Sequence, residues 1–350
     1  MPVSRQKFKK FQDLLHELHA LGRVAVAFSG GLDSTLLLYA ARQALQEDDV
    51  LAITCVAVYI PQAEIEEAKR TAAAFDVRHR LIAVPFPEEL RANPLDRCYL
   101  CKRALLTHMA QAAADAGISH LVDGTNLDDL RDYRPGRRAL EEFGVKSPLL
   151  AAGLTKQDIR DLARENGLVW DKPAGACLLT RIPHGRRIDF EELKRIDLIE
   201  DFLKDQGFAT VRLRSHGELA SIEVPVDQVS ALIEADRRHG IDARIKALGY
   251  RHVTVDLAGY RMGGLNEQPS RQETAAYHEH AGNVEAIVDR RPKRQPGRGE
   301  RDGAAAGSAL PGPRPHQDRP APRPSKRLSR SDLRRGQDPG AGRGDLPAHA

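Results

Sequence analysis

Two spacings of apolar residues alternate along the first 180 positions. Phe8, Phe11, Leu14, Leu15, Leu18 and Leu21 recur at helical spacing. VAVAFS (24–29), LAITCVAV (51–58), RLIAVPF (80–86) and HLVDGTN (120–126) read as buried strands. Helix-like sequence follows, such as AEIEEAKRTAAAF (63–75) and ALLTHMAQAAADAG (104–117). That alternation predicts an α/β fold with a doubly wound parallel sheet over 1–180. TKQDIRDLARENG (155–167) is a bounded helix, with Thr155 as cap, Asp158 three residues on and Gly167 at its stop.

From Arg181 the order changes. FEELKRIDLIEDFLKDQG is helical, ATVRLRS and ASIEVP read as paired strands, VDQVSALIEADRR is helical and RHVTVDLAGY is a last strand. This αββαβ order predicts a smaller α+β domain over 181–267.

Charge marks off the remainder. Residues 268–350 hold 16 Lys and Arg against 10 Asp and Glu, so the first 267 residues carry −2 although the whole chain carries +4. The same stretch holds 11 of the 21 prolines and few large apolar residues, which predicts a disordered basic tail. The ordered region therefore lacks the excess positive charge of a nucleic-acid track, and no nucleic-acid partner is expected. Met1 to Lys10 is polar and basic rather than a signal peptide, and no apolar stretch reaches the roughly 20 residues of a membrane span. A cytoplasmic protein without membrane contact is expected. Four cysteines (Cys55, Cys98, Cys101, Cys177) are too few for a secreted disulfide framework and point to metal or thiol chemistry, with Cys55 as core.

The first strand breaks at Ser29-Gly30-Gly31-Leu32-Asp33-Ser34. Backbone N–H groups at such a turn, opening onto a helix N-terminus, make an anion cradle, and the two serines add donors. Asp33 would repel phosphate unless a divalent cation lay between, which argues for Mg²⁺-bound pyrophosphate. Neither the lysine of a mononucleotide P-loop nor a G-x-G-x-x-G is present. Asp123-Gly124-Thr125-Asn126 follows another strand, and in such sheets ligands gather at the strands' carboxyl ends.

SGGLDS resembles the pyrophosphate loop of the PP-loop ATP pyrophosphatases. Asp123 to Asn126, Asp128-Asp129, Asp132 to Gly136, SPLLAAGLTKQDIR, WDKPAGACLLTRIPHG (170–185), Glu200, VRLRSHGELASIEV and GYRMGGLNE together resemble the LarE family. The resemblance covers residues 3–267. It implies an adenine nucleotide alpha hydrolase-like sheet, with ATP and Mg²⁺ held at Ser29, Gly30, Gly31, Asp33, Ser34 and Asp123 to Asn126. It also implies adenylation of a carboxylate on a pyridinium mononucleotide and its conversion to a thiocarboxylate, in nickel-pincer nucleotide cofactor synthesis. Cys177 is the nucleophile by resemblance, and Lys172 and Arg181 flank it as cations that favour a thiolate.

Cys98 and Cys101 have metal-ligand spacing, and with Cys177 they would supply three thiolates. Three readings stay open: a [4Fe-4S] cluster carrying the sulfide, sacrifice of the Cys177 sulfur, or a structural zinc site completed by His184. Arg212 and Arg214 alternate on a predicted strand and share one face, suited to clamp a substrate phosphate, and Arg181 is grouped with them. Glu200 and Glu223 match acidic family positions that would hold a second cation. The family further implies a homo-oligomer, a hexamer among the options, and a sulfur donor protein as partner. Two other functions compete: a tRNA thiolase, and a non-catalytic nucleotide-binding regulatory module.

Overall fold

The computed structural model describes residues 5–130, 136–173 and 175–261. The stretch read as a basic tail, 268–350, lies outside them, as do 132–135 and most of GYRMGGLNE.

Four parallel strands form the first sheet, in the order β3-β2-β1-β4: β1 Val24–Ala27, β2 Val50–Val56, β3 Arg78–Ala83 and β4 His120–Val122. Period-two alternation sends successive side chains to two cores. Ala25, Leu51, Ile53, Cys55 and Leu121 face one cluster. Val24, Val26, Val50, Ala52 and Val122 face the other. The second cluster is closed by α1 (Arg5–Leu21), α2 (Leu32–Ala44), α3 (Gln62–Ala74) and, further along the chain, a helix carrying Ile159 and Leu162. Opposite lie α4 (Arg97–Asp115) and α5 (Gly136–Glu142). This is the predicted doubly wound sheet. α6 (Pro148–Ala151) leads into α7 (Lys156–Glu165), the helix of Ile159 and Leu162, which starts at a reciprocal capping box between Thr155 and Asp158.

α4 begins seven residues before the predicted helix at 104. Nothing between Arg97 and Ala104 breaks a helix, and Pro94 lies just upstream. Cys98 and Cys101 therefore sit three apart on one helical face rather than in a loop.

After α8 (Phe190–Asp205) comes a three-stranded sheet, β5 (Arg212–His216), β6 (Leu219–Glu223) and β7 (His252–Val255). β5 and β6 are antiparallel, with Arg212 opposite Glu223, and β6 and β7 are parallel. The crossover holds α9 (Val229–His239) and a helix the sequence pattern did not reveal, α10 (Ile241–Ala247), divided by Gly240 at φ +62°. Buried residues of this sheet, such as Leu213 and Ile222, belong to the same core cluster as Ala25 and Ile53. Among the described residues no helix is long and apolar enough to cross a membrane.

Candidate active site

β1 ends inside the protein, and the chain must turn into α2 without a bulky side chain. Gly30 has φ +69°, and a Cβ there would lie 3.1 Å from the Ala68 Cα of α3. Gly31 is the N-cap residue and supplies no side-chain cap, so N–H groups of the first turn of α2 stay open to an anion. The two serines brace the turn: Ser29 Oγ lies 3.2 Å from Ser34 Oγ and accepts from Gly31 N at 3.3 Å.

The loop after β4 closes on this turn. A Cβ at Gly124 would lie 3.0 Å from Ser34 N. Asp123 accepts from Thr125 Oγ1 and Ser147 Oγ, each at 2.7 Å. Asn126 reaches Asp33 Oδ1 at 3.4 Å, and Lys156 donates to Asp33 Oδ2 at 2.5 Å. Ser29, Gly31, Asp33, Ser34, Asp123, Gly124 and Thr125 thus line one cavity of about 450 Å³, floored by Ala27, Phe28, Leu106 and Met109. Gly30 and Asn126 are not among its lining residues.

The same cavity takes Gly175, two residues before Cys177, and Glu64 of α3. A Cβ at Gly175 would lie 2.7 Å from Glu64 Oε1, so the loop passes directly over that carboxylate. Burial pushes the Glu64 carboxyl up, against the pull of Lys172, Arg181 and Arg212. Glu64 carries no motif, which is why its place in the cavity was not legible.

Cys177 opens a short 3₁₀ turn, Leu178–Arg181. Its carbonyl accepts from Thr180 Oγ1 at 2.8 Å and Arg181 Nη1 at 3.2 Å. Leu178 N donates to Tyr59 O at 2.8 Å. The expectation that Lys172 and Arg181 favour a thiolate needs correction. Burial pushes the Cys177 thiol up, Cys98 adds to that, and Arg181 and Arg97 only oppose it. Lys172 is engaged elsewhere, by Gly30 O at 3.0 Å and Glu67 at 2.6 Å. It ties the Cys177 segment to the glycine turn.

Cys98 and Cys101 come from the opposite wall, on α4. The three thiols are electrostatic neighbours: Cys177 and Cys98 both bear on Cys101, which burial pushes up to about 12. Arg97, 2% exposed, stands beside Cys98 and Cys177. Three sulfur donors with a buried cation suit a thiolate-bound iron–sulfur cluster, whose charge needs such a neighbour. Among the described residues no three His, Cys, Asp or Glu side chains are grouped as they would be around a single metal ion, and His184, read as completing a zinc site, turns its Nδ1 to Pro94 O at 3.1 Å. Cys55 is core, as expected: it is 4% exposed, and burial pushes it up to about 12.

The arginines and glutamates assigned to substrate and second cation are paired with each other. Arg181 and Glu200, 2% and 1% exposed, form a two-pronged bridge with both contacts at 2.8 Å. Arg214 grips Glu223 at 2.8 and 2.7 Å and donates to Thr180 O at 2.8 Å. Arg212 donates to Val211 O at 2.8 Å and lies over the Tyr260 ring. Glu200 and Glu223 are thus each closed on a guanidinium rather than grouped as an acidic cation site. Arg181 and Arg214 brace the Cys177 turn, through Ala176, Cys177 and Thr180.

Residues 23–127 match the family model described as queuosine biosynthesis protein QueC. An uncharacterized protein of Synechocystis sp. is 36% identical over 260 residues, covering 73% of this chain and 97% of its own. The pyridinium-3,5-bisthiocarboxylic acid mononucleotide synthase of Lactiplantibacillus plantarum is 32% identical over 267 residues, 75% of this chain and 96% of its own. An uncharacterized protein of Methanocaldococcus jannaschii is 31% identical over 259 residues, 74% and 99% of the two chains.

Proposed function

Since the chain belongs to the LarE family, that of the pyridinium-3,5-bisthiocarboxylic acid mononucleotide synthases, and is an ATP-dependent sulfurtransferase, we propose that it activates and thiolates a pyridinium-3,5-biscarboxylic acid mononucleotide. One observation carries this reading: the cavity that gathers SGGLDS and DGT also takes Gly175, which leads the chain to Cys177. A nucleotide cradle and a thiol loop with a common wall suit acyl activation followed by sulfur delivery. The relative's coverage, 96% of its length, favours this over a tRNA thiolase.

Ser29, Ser34 and the open N–H groups of α2 bind the triphosphate, and Asp33 would hold the Mg²⁺ that offsets its charge. A substrate carboxylate oxygen attacks the α-phosphorus, forming an acyl adenylate and releasing pyrophosphate. Arg212 orients the substrate phosphate, while Arg181 and Arg214 hold the Cys177 turn in place. Sulfur then displaces AMP at the acyl carbon. Cys98, Cys101 and Cys177 would hold a [4Fe-4S] cluster, which would supply the sulfide. The competing source is Cys177 itself. Its thiolate would form a thioester, and loss of the Cα proton with cleavage of Cβ–S would leave a thiocarboxylate and dehydroalanine.

The test is a reaction with ATP, Mg²⁺ and the biscarboxylic mononucleotide, followed by pyrophosphate release and mass spectrometry. Cys177→Ala keeps pyrophosphate release and makes no thiocarboxylate; retained sulfur transfer overturns the role of Cys177. Cys98→Ala loses multiple turnover if the cluster is the source. Loss of about 34 Da from the protein after one cycle, with Cys98→Ala unimpaired, makes Cys177 the donor.

A further inference from the structure

Two buried donors beside the cysteines have no oxygen or nitrogen to serve. Tyr59, in the turn after β2, is 0% exposed, and its hydroxyl has no oxygen or nitrogen partner. Its ring sits edge-on to Phe86, with centroids 5.9 Å apart, and its carbonyl fastens the Cys177 turn through Leu178 N. Cys101, Cys177 and Cys55 are its electrostatic neighbours, and Cys101 is the one facing the hydroxyl.

Arg97 opens α4, one residue before Cys98. Its Nη1 serves Asn93 Oδ1 at 2.9 Å, Leu179 O at 3.1 Å and Ile182 O at 3.2 Å, whereas its buried Nε has no oxygen or nitrogen partner. Cys177 and Cys98 are the anionic groups nearest in effect. The two donors thus both neighbour the trio, Tyr59 at Cys101 and Arg97 at Cys98 and Cys177.

A buried donor left unsatisfied is costly, so two in one neighbourhood favour an acceptor there. A neutral thiol accepts weakly, but a sulfur carrying negative charge accepts well. We propose that Tyr59 and Arg97 are positioning residues for sulfur transfer: Tyr59 Oη–H donates to charged sulfur at Cys101, and Arg97 Nε–H donates to charged sulfur at Cys98 and Cys177. This rests on the reading of the three cysteines as one sulfur-handling group. The hydroxyl and the guanidinium hold that charge in an otherwise apolar wall, and Arg97 at the same time locks the Leu178–Arg181 turn through its carbonyls.

Hydrogen bonds to sulfur raise the reduction potential of an iron–sulfur centre, and loss of an outer partner loosens metal binding about tenfold or more. The full-length protein is therefore reconstituted anaerobically with ferrous iron and sulfide, and its midpoint potential and rate of iron loss to a chelator are measured. Tyr59→Phe, which removes one oxygen, takes up the same iron, shifts the midpoint potential downward and loses iron about tenfold faster. Arg97→Lys, compared only if its circular dichroism matches the parent, shifts both in the same direction. Unchanged potential and unchanged iron loss in Tyr59→Phe overturn the proposal, because a merely structural tyrosine would leave the potential alone. Failure of the parent protein to form any iron–sulfur chromophore, or its persistence in Cys98→Ala and Cys101→Ala, refutes the three-cysteine reading and this inference with it.

Discussion

Lys156 Nζ donates to Asp33 Oδ2 at 2.5 Å, joining the first residue of α7 to the first turn of α2. Asn126 supports the other carboxylate oxygen, and Lys156 N is itself held by Asp128 Oδ2 at 2.8 Å. The lysine therefore stands at the carboxylate proposed to carry Mg²⁺, where it balances Asp33 and can turn to a phosphate oxygen.

Lys156→Met should raise the KM for ATP about tenfold, the size of one charge-assisted hydrogen bond. It should also lower the Mg²⁺ concentration needed for half-maximal rate, since the cation no longer competes with an ammonium for Asp33. Pyrophosphate release measured across ATP and Mg²⁺ series separates the two effects. A variant with unchanged ATP dependence removes Lys156 from the nucleotide site.

Gly124→Ala tests the closeness of the two loops. The new methyl would lie 3.0 Å from Ser34 N and 3.1 Å from Asp33 Cβ, atoms fixed in α2 that cannot step aside as a side-chain tip does. The loop after β4 must retreat, and a misplacement of about 1 Å in a reacting site costs up to about a hundredfold. Pyrophosphate release should fall by at least about tenfold while the melting temperature changes little. Parent-like release would show that the loop relaxes without harm.

Thr155→Ala should cost about 1 kcal/mol in urea unfolding, the usual worth of an N-cap. Thr155 Oγ1 accepts from Asp158 N at 3.1 Å and donates to Asp158 Oδ2 at 2.8 Å, so both hydroxyl bonds are lost, while the backbone N–H of residue 155 keeps its bond to Asp158 Oδ2 at 3.1 Å. Lys156 follows directly, so the same variant should also weaken ATP binding. Stability lost with ATP binding intact would separate the cap from the site.

Local chemistry was readable and long-range pairing was not. The continuous apolar runs VAVAFS and LAITCVAV were enough to predict buried strands, and which of the two cores each side chain enters then follows from its neighbours. SGGLDS declared its turn through Gly30 and its cradle through the serines. Lys156 and Asp33 are 123 residues apart, and Arg97 and Leu179 are 82 apart. No spacing rule joins such pairs. The burial that raises Cys177 is likewise a product of tertiary packing, whereas sequence offered only the flanking Lys172 and Arg181.

Glu200 gives the sharpest stability test. Its carboxylate lies in the core, bridged to Arg181 and accepting Leu213 N at 2.9 Å. Burial alone pushes the carboxyl up, but the Arg181 hydrogen bonds and charge outweigh it and hold it below the ordinary carboxylate range. Breaking such a pair leaves an uncompensated guanidinium, so Glu200→Ala should destabilise by about 3–5 kcal/mol. Glu200→Gln keeps the shape and removes the charge, which isolates the proton-linked part. With the folded pKa depressed, the charge contributes fully above the unfolded value of about 4.3 and is lost as pH falls through the folded value. The difference in urea midpoint between parent and Glu200→Gln should therefore be flat from about pH 7 to pH 5 and narrow below about pH 4. A gap that widened on acidification would mean that Glu200 is protonated in the folded protein, and the bridge to Arg181 would have to be abandoned.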